Sequence, residues 1–538
     1  MGEITMVQSI KGFRPGHRLR AAAIAAALAA PFAGPAGAQN LTIATGGSVT
    51  SVDPHFFNAA PNSSLALHFF ETLVDRTHDA QLQPGLATEW RAIAPTVWEF
   101  KLRPGVTWHD GRPFTADDVV FTLSRVPNVP NSPGGFTGFI RSIQRTEVVD
   151  PLTIRFHTSY PNPILPTEIA SIFMISRHVG EGATTEDYNA GRAAIGTGPF
   201  RFVSHRQGDR TEMQRNDAHW GTRQHWQRVS YRFIANDPAR SAALLAGDVD
   251  VIDQVASADL ARLRREARVA VSETQGLRVV YLMPDFSRTG PVPGVTDNNG
   301  QPLPQNPFHD VRVRRALNMA IARDAIAERV MEGQATPNAQ WLPPGTFSHN
   351  PEVAVRPADL DGARRLLAEA GFPNGFRLTL HTPNDRFPND SRIAQAVAQN
   401  WTRIGVQTAV EAQPWATFST RSARQEYALR LTSWGSVTAE ASYMLVNIMM
   451  TFDRERRTGA SNSGRFSSAE LDAMTARATA ILDDAERERA LRDIVKWVAE
   501  NAPIMPIVQL NHTWASRRPI TYQARMDERT TAMGAKPN

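Results

Sequence analysis

Apolar and polar residues alternate most cleanly at 98–108. Trp98, Phe100 and Leu102 are separated by Glu99, Lys101 and Arg103, "RPG" interrupts, and Val106 and Trp108 resume the pattern. Alternation of period two sends successive side chains to opposite faces of a strand, so this stretch predicts a β-hairpin turning at "RPG". "HDG" (109–111) supplies the next turn, with Gly111 suited to positive φ. Thr115 stands three residues before Asp118 and ahead of "VVFTL", a capping-box variant that predicts a helix start. In that setting His109 and Asp110 are turn residues, and Asp117 and Asp118 favour a helix N-terminus; a metal or proton-transfer cluster is the lesser reading. "THDAQ" (77–81) and "FHDVR" (308–312) likewise precede a turn or a helix.

Upstream, "LTIAT" predicts an opening strand. Downstream the period changes to that of alternating helices and strands. Asp310 can cap a helix in which Val313, Leu317, Ala320 and Ile321 share one face. "ADLDGARRLLAEAG" predicts a helix ending at Gly371, and "NGFRLTLHT" a strand. "SRIAQAVAQNWTRIG" and "VQTAVEA" repeat the pair, and "YALRLTSWG" reads as a further strand ending in a Trp-Gly loop. Strand–helix–strand order implies a parallel sheet. "SSAELDAMTARATAIL" and "DAERERALRDIVKWVAENAP" are the closing helices, and 291–307 is irregular.

Composition adds the cellular setting. At 538 residues, with 42% hydrophobic and 21% charged residues, the chain can bury two or three cores without being a membrane-spanning protein. Its +5 formal charge lies mostly in the first 38 residues, where Lys11, Arg14, Arg18 and Arg20 face only Glu3. The near-neutral remainder gives no electrostatic case for nucleic acid. That N-terminus reads as a signal peptide: a basic stretch, the apolar "AAAIAAALAAPFAG", and an A-x-A site with cleavage expected after Ala38. With no cysteine there is no disulfide, thiolate or lipid anchor. An exported chain without an anchor points to a Gram-negative periplasm, with no membrane insertion of the mature part.

Enzyme signatures are missing: the chain has no H-E-x-x-H, G-x-S-x-G or G-x-x-x-x-G-K-[ST]. His219 and His225 are wrongly spaced for one helical face, so neither a metal nor another cofactor is expected.

The motifs "VDPH", "LQPGLATEW", "WEFKLRPGVTWHDGRPFTADDVVFTL", "IGTGPFRF", "LLAGDVDVI", "PFHDVRVRRALNMAIAR", "ARRLLAEAGFPNGF" and "EAQPWATF" occur in this order. Together they resemble the family 5 extracellular solute-binding proteins of ABC transporters, the dipeptide, oligopeptide and nickel binders, over essentially the whole mature chain. The resemblance implies an α/β, two-lobed periplasmic-binding-protein fold with two hinge crossings and an extra subdomain in lobe I. It divides the chain into lobe I (39–283), lobe II (284–507) and a C-terminal return to lobe I (508–538), with hinges near "YLMPD" (281–285) and "PIMPIVQL" (503–510). It also implies a monomer that carries a peptide or peptide-like solute to an ABC permease and ATPase. Glutathione, an opine, a sugar or a metal chelate are alternative cargoes; a periplasmic hydrolase or a non-transport sensor is the alternative from another class.

The same resemblance nominates the site. Asn58 and Ala60 are the counterparts of backbone that pairs with an extended ligand. Trp415 and Trp434 would wall the pocket, and Phe136 stands where relatives bring an aromatic over the ligand. Gly435 and Ser436 continue the Trp434 loop. Peptide binders carry an aspartate three residues beyond this Trp, for the ligand's ammonium; here the position is Val437. The nearest acid is Glu440, in a "TAEAS" segment similar to the glutathione-binding branch; it is a candidate ammonium partner, with a solvated loop acid as the alternative. Among Arg421, Arg424 and Arg430, Arg430 is the expected carboxylate partner.

Overall fold

Two long strands, Val269–Pro284 and Met505–Arg517, run antiparallel to one another from the pair Val269–Arg517 to the pair Leu282–Met505. Their sequences, "VVYLMP" and "MPIVQL", are near-continuous apolar runs because both faces of the sheet are covered here. Alternation divides the side chains between two cores. Val280 and Leu282 join Leu317, Leu380, Val397 and Trp401 on one face. Val279, Tyr281 and Met283 join Met444, Leu491 and Ile494 on the other. The computed structural model describes residues 40–538, Val437 and Arg457 excepted. The anticipated signal peptide (1–38) and Val437 thus lie outside the described residues.

The two long strands are the middle of a twelve-stranded sheet. On one side, the opening strand Asn40–Thr45 pairs in parallel with Arg228–Phe233 and Val251–Asp253. Its Leu41 and Ile43 share a core with Phe69, Phe70 and Trp226, and with Trp514 and Tyr522 from the end of the chain. On the other side lies the strand–helix–strand unit expected from the sequence. Arg377–Pro383 and Gln407–Gln413 pair in parallel in full register, with the helix Asp390–Thr402 between them in the chain, and Arg377–Pro383 is also parallel to Leu429–Gly435. Asp310 caps the helix Val311–Met319, its side chain accepting from the Arg312 N–H at 2.8 Å. Val313, Leu317, Ala320 and Ile321 are all fully buried, as the shared face requires. Leu360–Glu369 is helical and Gly371 takes φ +91° beyond it, a left-handed conformation that glycine adopts without strain.

The hairpin expected at 98–108 forms differently. The strand Val97–Leu102 does not fold back on Val106 and Trp108. It pairs with Ala87–Ala94 before it and Thr153–Thr158 after it, in a four-stranded antiparallel sheet. Alternation fixed which face is buried, and Trp98, Phe100 and Leu102 do enter one core with Phe156 and Trp108. It could not name the partner strand. The "HDG" turn and the helix Ala116–Arg125 are as expected: Gly111 has φ +90°, and Asp118 accepts from the Thr115 N–H at 3.0 Å.

Candidate functional site

The acids and histidines of the N-terminal motifs are structural. The buried His109 donates from Nε2 to the Gly198 carbonyl (2.9 Å) and accepts at Nδ1 from the Gly196 N–H (3.2 Å). Burial lowers its pKa to about 4, so it is a neutral pin for the "GTGP" loop. Asp118 ties Trp108 Nε1 (3.3 Å) and the Arg177 N–H (2.9 Å) to its own helix. In "VDPH", Asp53 accepts twice from Arg125, at 2.6 and 2.9 Å, and once from Thr185 Oγ1 at 2.8 Å. Among the described residues no group of three or more His, Asp or Glu side chains is placed to hold a metal ion. A depression on the outer face of the four-stranded sheet is lined by Glu99, Lys101 and Arg91, charges already paired with one another.

The end of the strand Leu429–Gly435 is different. Trp434 lies opposite Val279 of the long strand and its ring packs on Tyr443 at 5.4 Å. Its indole Nε1 is buried and hydrogen-bonds to no described residue. Gly435 leaves room for a neighbouring guanidinium: a Cβ there would stand 3.2 Å from Arg278 Nη2. The Ser436 N–H donates to the Leu277 carbonyl (2.8 Å), the Leu277 N–H to the Met526 carbonyl (3.2 Å), and the Met526 N–H to the His78 carbonyl (2.8 Å). This backbone relay joins the loop after Trp434, the long strand, the C-terminal segment and the 77–81 loop at one junction. Ala80, Leu277, Ala439 and Met526 fill its interior. Ala439 holds φ +54°, the strained left-handed region for a residue with a Cβ.

Glu440 does not offer a free carboxylate. It is buried, ion-paired with Arg487, and accepts from Ser442 Oγ at 2.6 Å. Arg487 is in turn held by Asp484 at 2.6 Å and lies 4.4 Å over the Phe347 ring. The charge anticipated for a ligand ammonium is therefore already neutralised by a side chain 47 residues away in sequence.

Trp415 opens the helix Trp415–Ala423, its N–H donating to Asp385 Oδ1 at 2.6 Å. It is one of the few large apolar side chains left exposed, at 36%. Phe418 stacks beneath it at 5.8 Å, and the Arg386 guanidinium lies 5.0 Å from the indole. Partial desolvation, and then the positive charge of Arg278, lower the Arg386 pKa. The sequence alone does not single out Arg278 or Arg386. The available signals were a lone cation heading the apolar run "VVYLMP" and another in the turn-rich "PNDRFPND".

Four expected residues, Arg430, Phe136, Asn58 and Ala60, make other contacts. Arg430 is 0% exposed, between the buried Leu429 and Leu431. Its guanidinium donates to the Tyr427 carbonyl (3.0 Å) and Ser422 Oγ (3.3 Å), and burial lowers its pKa to about 10. An incoming carboxylate has no route to it. Arg421 is instead paired at the surface with Glu426 (2.8 Å), and Arg424 more loosely (3.9 Å). Phe136 is 1% exposed, packed on His55 (6.2 Å) and Phe139 (6.3 Å) in the core that holds Trp108. Asn58 is at the surface, but its N–H donates to the Gly134 carbonyl at 2.8 Å, and Ala60 begins the helix Ala60–Phe69. Gly134 thus holds the backbone position expected for a ligand strand.

A model of bacterial extracellular solute-binding proteins, family 5 (middle region), matches residues 81–453. The chain is 29% identical over 457 residues to heme-binding protein A of Haemophilus influenzae, covering 79% of this chain and 78% of that one. It is 26% identical over 425 residues to the dipeptide-binding protein of Escherichia coli K12 (74% and 76% covered). Glutathione-binding protein GsiB of Pectobacterium atrosepticum is 27% identical over 475 residues (87% and 88% covered). Among solved structures, HbpA2 from Haemophilus parasuis superposes with a TM-score of 0.81 at 23% identity, over 93% of this chain and all of that one.

Proposed function

The chain belongs to the family 5 bacterial extracellular solute-binding proteins, and from that premise we propose that it captures an intact peptide or peptide-like solute and presents it to an ABC permease and its ATPase. The observation that carries this reading is the coincidence of aromatic walls with uncommitted donors in lobe II: Trp415 with Arg386 over it, and Trp434 with its bare indole N–H. Aromatic faces give a peptide apolar area without reading its side chains, while a guanidinium receives its carboxylate bidentately. The ammonium is met by groups other than Glu440, whose carboxylate is held by Arg487.

In this reading lobe I comprises 39–283, lobe II 284–507, and 508–538 returns to lobe I, with hinges near 281–285 and 503–510. The solute touches both lobes only when they are shut, and this difference in affinity drives closure. No bond of the solute is made or broken. A signal peptide cleaved after Ala38 delivers the protein to the periplasm as a monomer. Among the described residues no helix is long and apolar enough to cross a membrane.

Native mass spectrometry of the purified protein, followed by a thermal-shift screen of di- and tripeptides, glutathione, opines, sugars and hemin, tests the reading. A ligand bound only by the folded state raises the melting temperature. Stabilisation by peptides or glutathione, recovered chemically intact, is the expected result. Stabilisation by hemin or sugars alone would overturn the peptide assignment, and recovery of hydrolysed peptide would overturn the binding assignment.

A further inference from the structure

We propose that Arg278 is a second anion-recognising residue of this site, receiving the carboxylate of the solute together with Arg386 and tying its capture to the long strand on which Arg278 stands. The inference rests on the peptide-like reading above and adds a residue, a charge requirement and a place in the fold.

Pairing between the two long strands breaks between Gln275 and Val279, and Arg278 lies in that interruption. Leu277, its neighbour, is held on both sides of its backbone, by Met526 and by Ser436. Arg278 therefore projects from a fixed point of the junction where the 77–81 loop, the C-terminal segment and the loop after Trp434 meet. Its guanidinium crosses the strand end at Gly435, where the absent side chain gives it space.

Arg278 is also poorly satisfied for a side chain only 23% exposed. Its contacts among the described residues are long: Ser433 Oγ at 3.5 Å and the Glu528 carboxylate at 3.9 Å. Structural arginines of this protein are held differently, Arg125 by Asp53 at 2.6 Å and Arg525 by Asp527 at 2.7 Å. Glu528 itself stands at φ +57°, a left-handed conformation imposed on a residue with a Cβ, next to an Asp527 fixed by Arg525. Arg278, Arg386 and Glu528 together carry one positive charge in excess. A single carboxylate neutralises it, in a bidentate geometry that a guanidinium offers and an ammonium does not.

The test uses the mature full-length protein and the probes Ala-Ala and Ala-Ala-Ala, each as free acid and as C-terminal amide, with affinities from calorimetry. Wild type is expected to bind the acids about ten-fold or more tighter than the amides, the scale of a charge-assisted hydrogen bond. Arg278→Ala should weaken the acids by about ten-fold while leaving the amides nearly unchanged, and Arg278→Lys should recover part of the loss. Glu528→Gln, which removes the competing carboxylate, should tighten the acids a few-fold. Melting of each unliganded variant with wild type verifies the fold, and Arg278→Lys and Glu528→Gln keep the test decisive if Arg278→Ala does not fold. Equal affinity for acids and amides in wild type, or equal weakening of both by Arg278→Ala, would overturn the inference and leave the peptide reading standing. Failure of wild type to bind any of the four would sink the peptide reading and this inference with it.

Discussion

The corner at Asp53 and the strand end at Trp434 both set arginine and aromatic side chains against buried polar groups, and they differ in how completely those groups are used. At Asp53 the carboxylate accepts from Arg125, Thr185 and the His55 N–H, and the same guanidinium lies 4.7 Å over the Tyr188 ring. Burial pushes the Asp53 pKa up, but the Arg125 hydrogen bonds and charge more than offset it and hold the carboxyl below its usual range. At Trp434 an indole N–H has no described partner, Arg278 stands 3.9 Å from the Glu528 carboxylate, and the backbone nearby is strained. The Asp53 carboxylate is fully used in holding its corner, although the Tyr188 hydroxyl beside it has no described partner; the groups at the Trp434 strand end are more loosely held.

Acidification should have the largest effect, through the buried histidines of the N-terminal half. His55, His68 and His109 are buried in the N-terminal half, and burial, the largest cause for each, lowers their pKa values to about 4. The unfolded chain takes up these protons near 6.5, so below that pH the unfolded state binds more protons than the fold. The stability that these histidines contribute is full above pH 6.5 and is lost as pH falls toward 4, by about 3 kcal/mol for each. Thermal melts across that window measure the loss, and His68→Phe should flatten its slope. An unaltered slope in that variant would remove His68 from the explanation.

Next in size, Asp53→Ala strands the Arg125 guanidinium and should cost about 3–5 kcal/mol, read as a lowered melting temperature, with ligand affinity kept wherever the variant is folded. Loss of affinity without loss of stability would move this corner into the site. Glu440→Gln removes one charge from the Arg487 pair, while Asp484 still holds that arginine. A cost of about 1–2 kcal/mol is expected, with amine-bearing and amine-free ligands weakened alike. Selective loss for amine-bearing ligands would restore Glu440 as their ammonium partner.

Legibility in the sequence follows the same divide. The buried face of Val313, Leu317, Ala320 and Ile321 and the Thr115–Asp118 cap were readable because each depends on neighbours within a few residues, and the parallel unit at 377–413 because strand–helix–strand order requires a parallel crossover. The partner of Val97–Leu102 was not, since one strand's alternation names a face and not a neighbour. Several residues that the sequence nominates for the site are committed to other contacts. Arg430 and Arg386 are both cations near an aromatic loop, and only the sheet sends one inward to Tyr427 and leaves the other over Trp415. Glu440 is an isolated acid in sequence until the helix Asp484–Asn501 brings Arg487 to it. Phe136 had the right chemistry for a ligand wall and fills the core of the four-stranded sheet instead.

Calorimetric titration of Trp434→Ala and Phe136→Leu, against whichever peptide binds wild type most tightly, tests the division between site and scaffold most directly. The expected result is about a ten-fold or greater loss of affinity for Trp434→Ala, which removes an aromatic wall and its donor, and an unchanged affinity for Phe136→Leu despite a lower melting temperature. Wild-type affinity in a folded Trp434→Ala would contradict it.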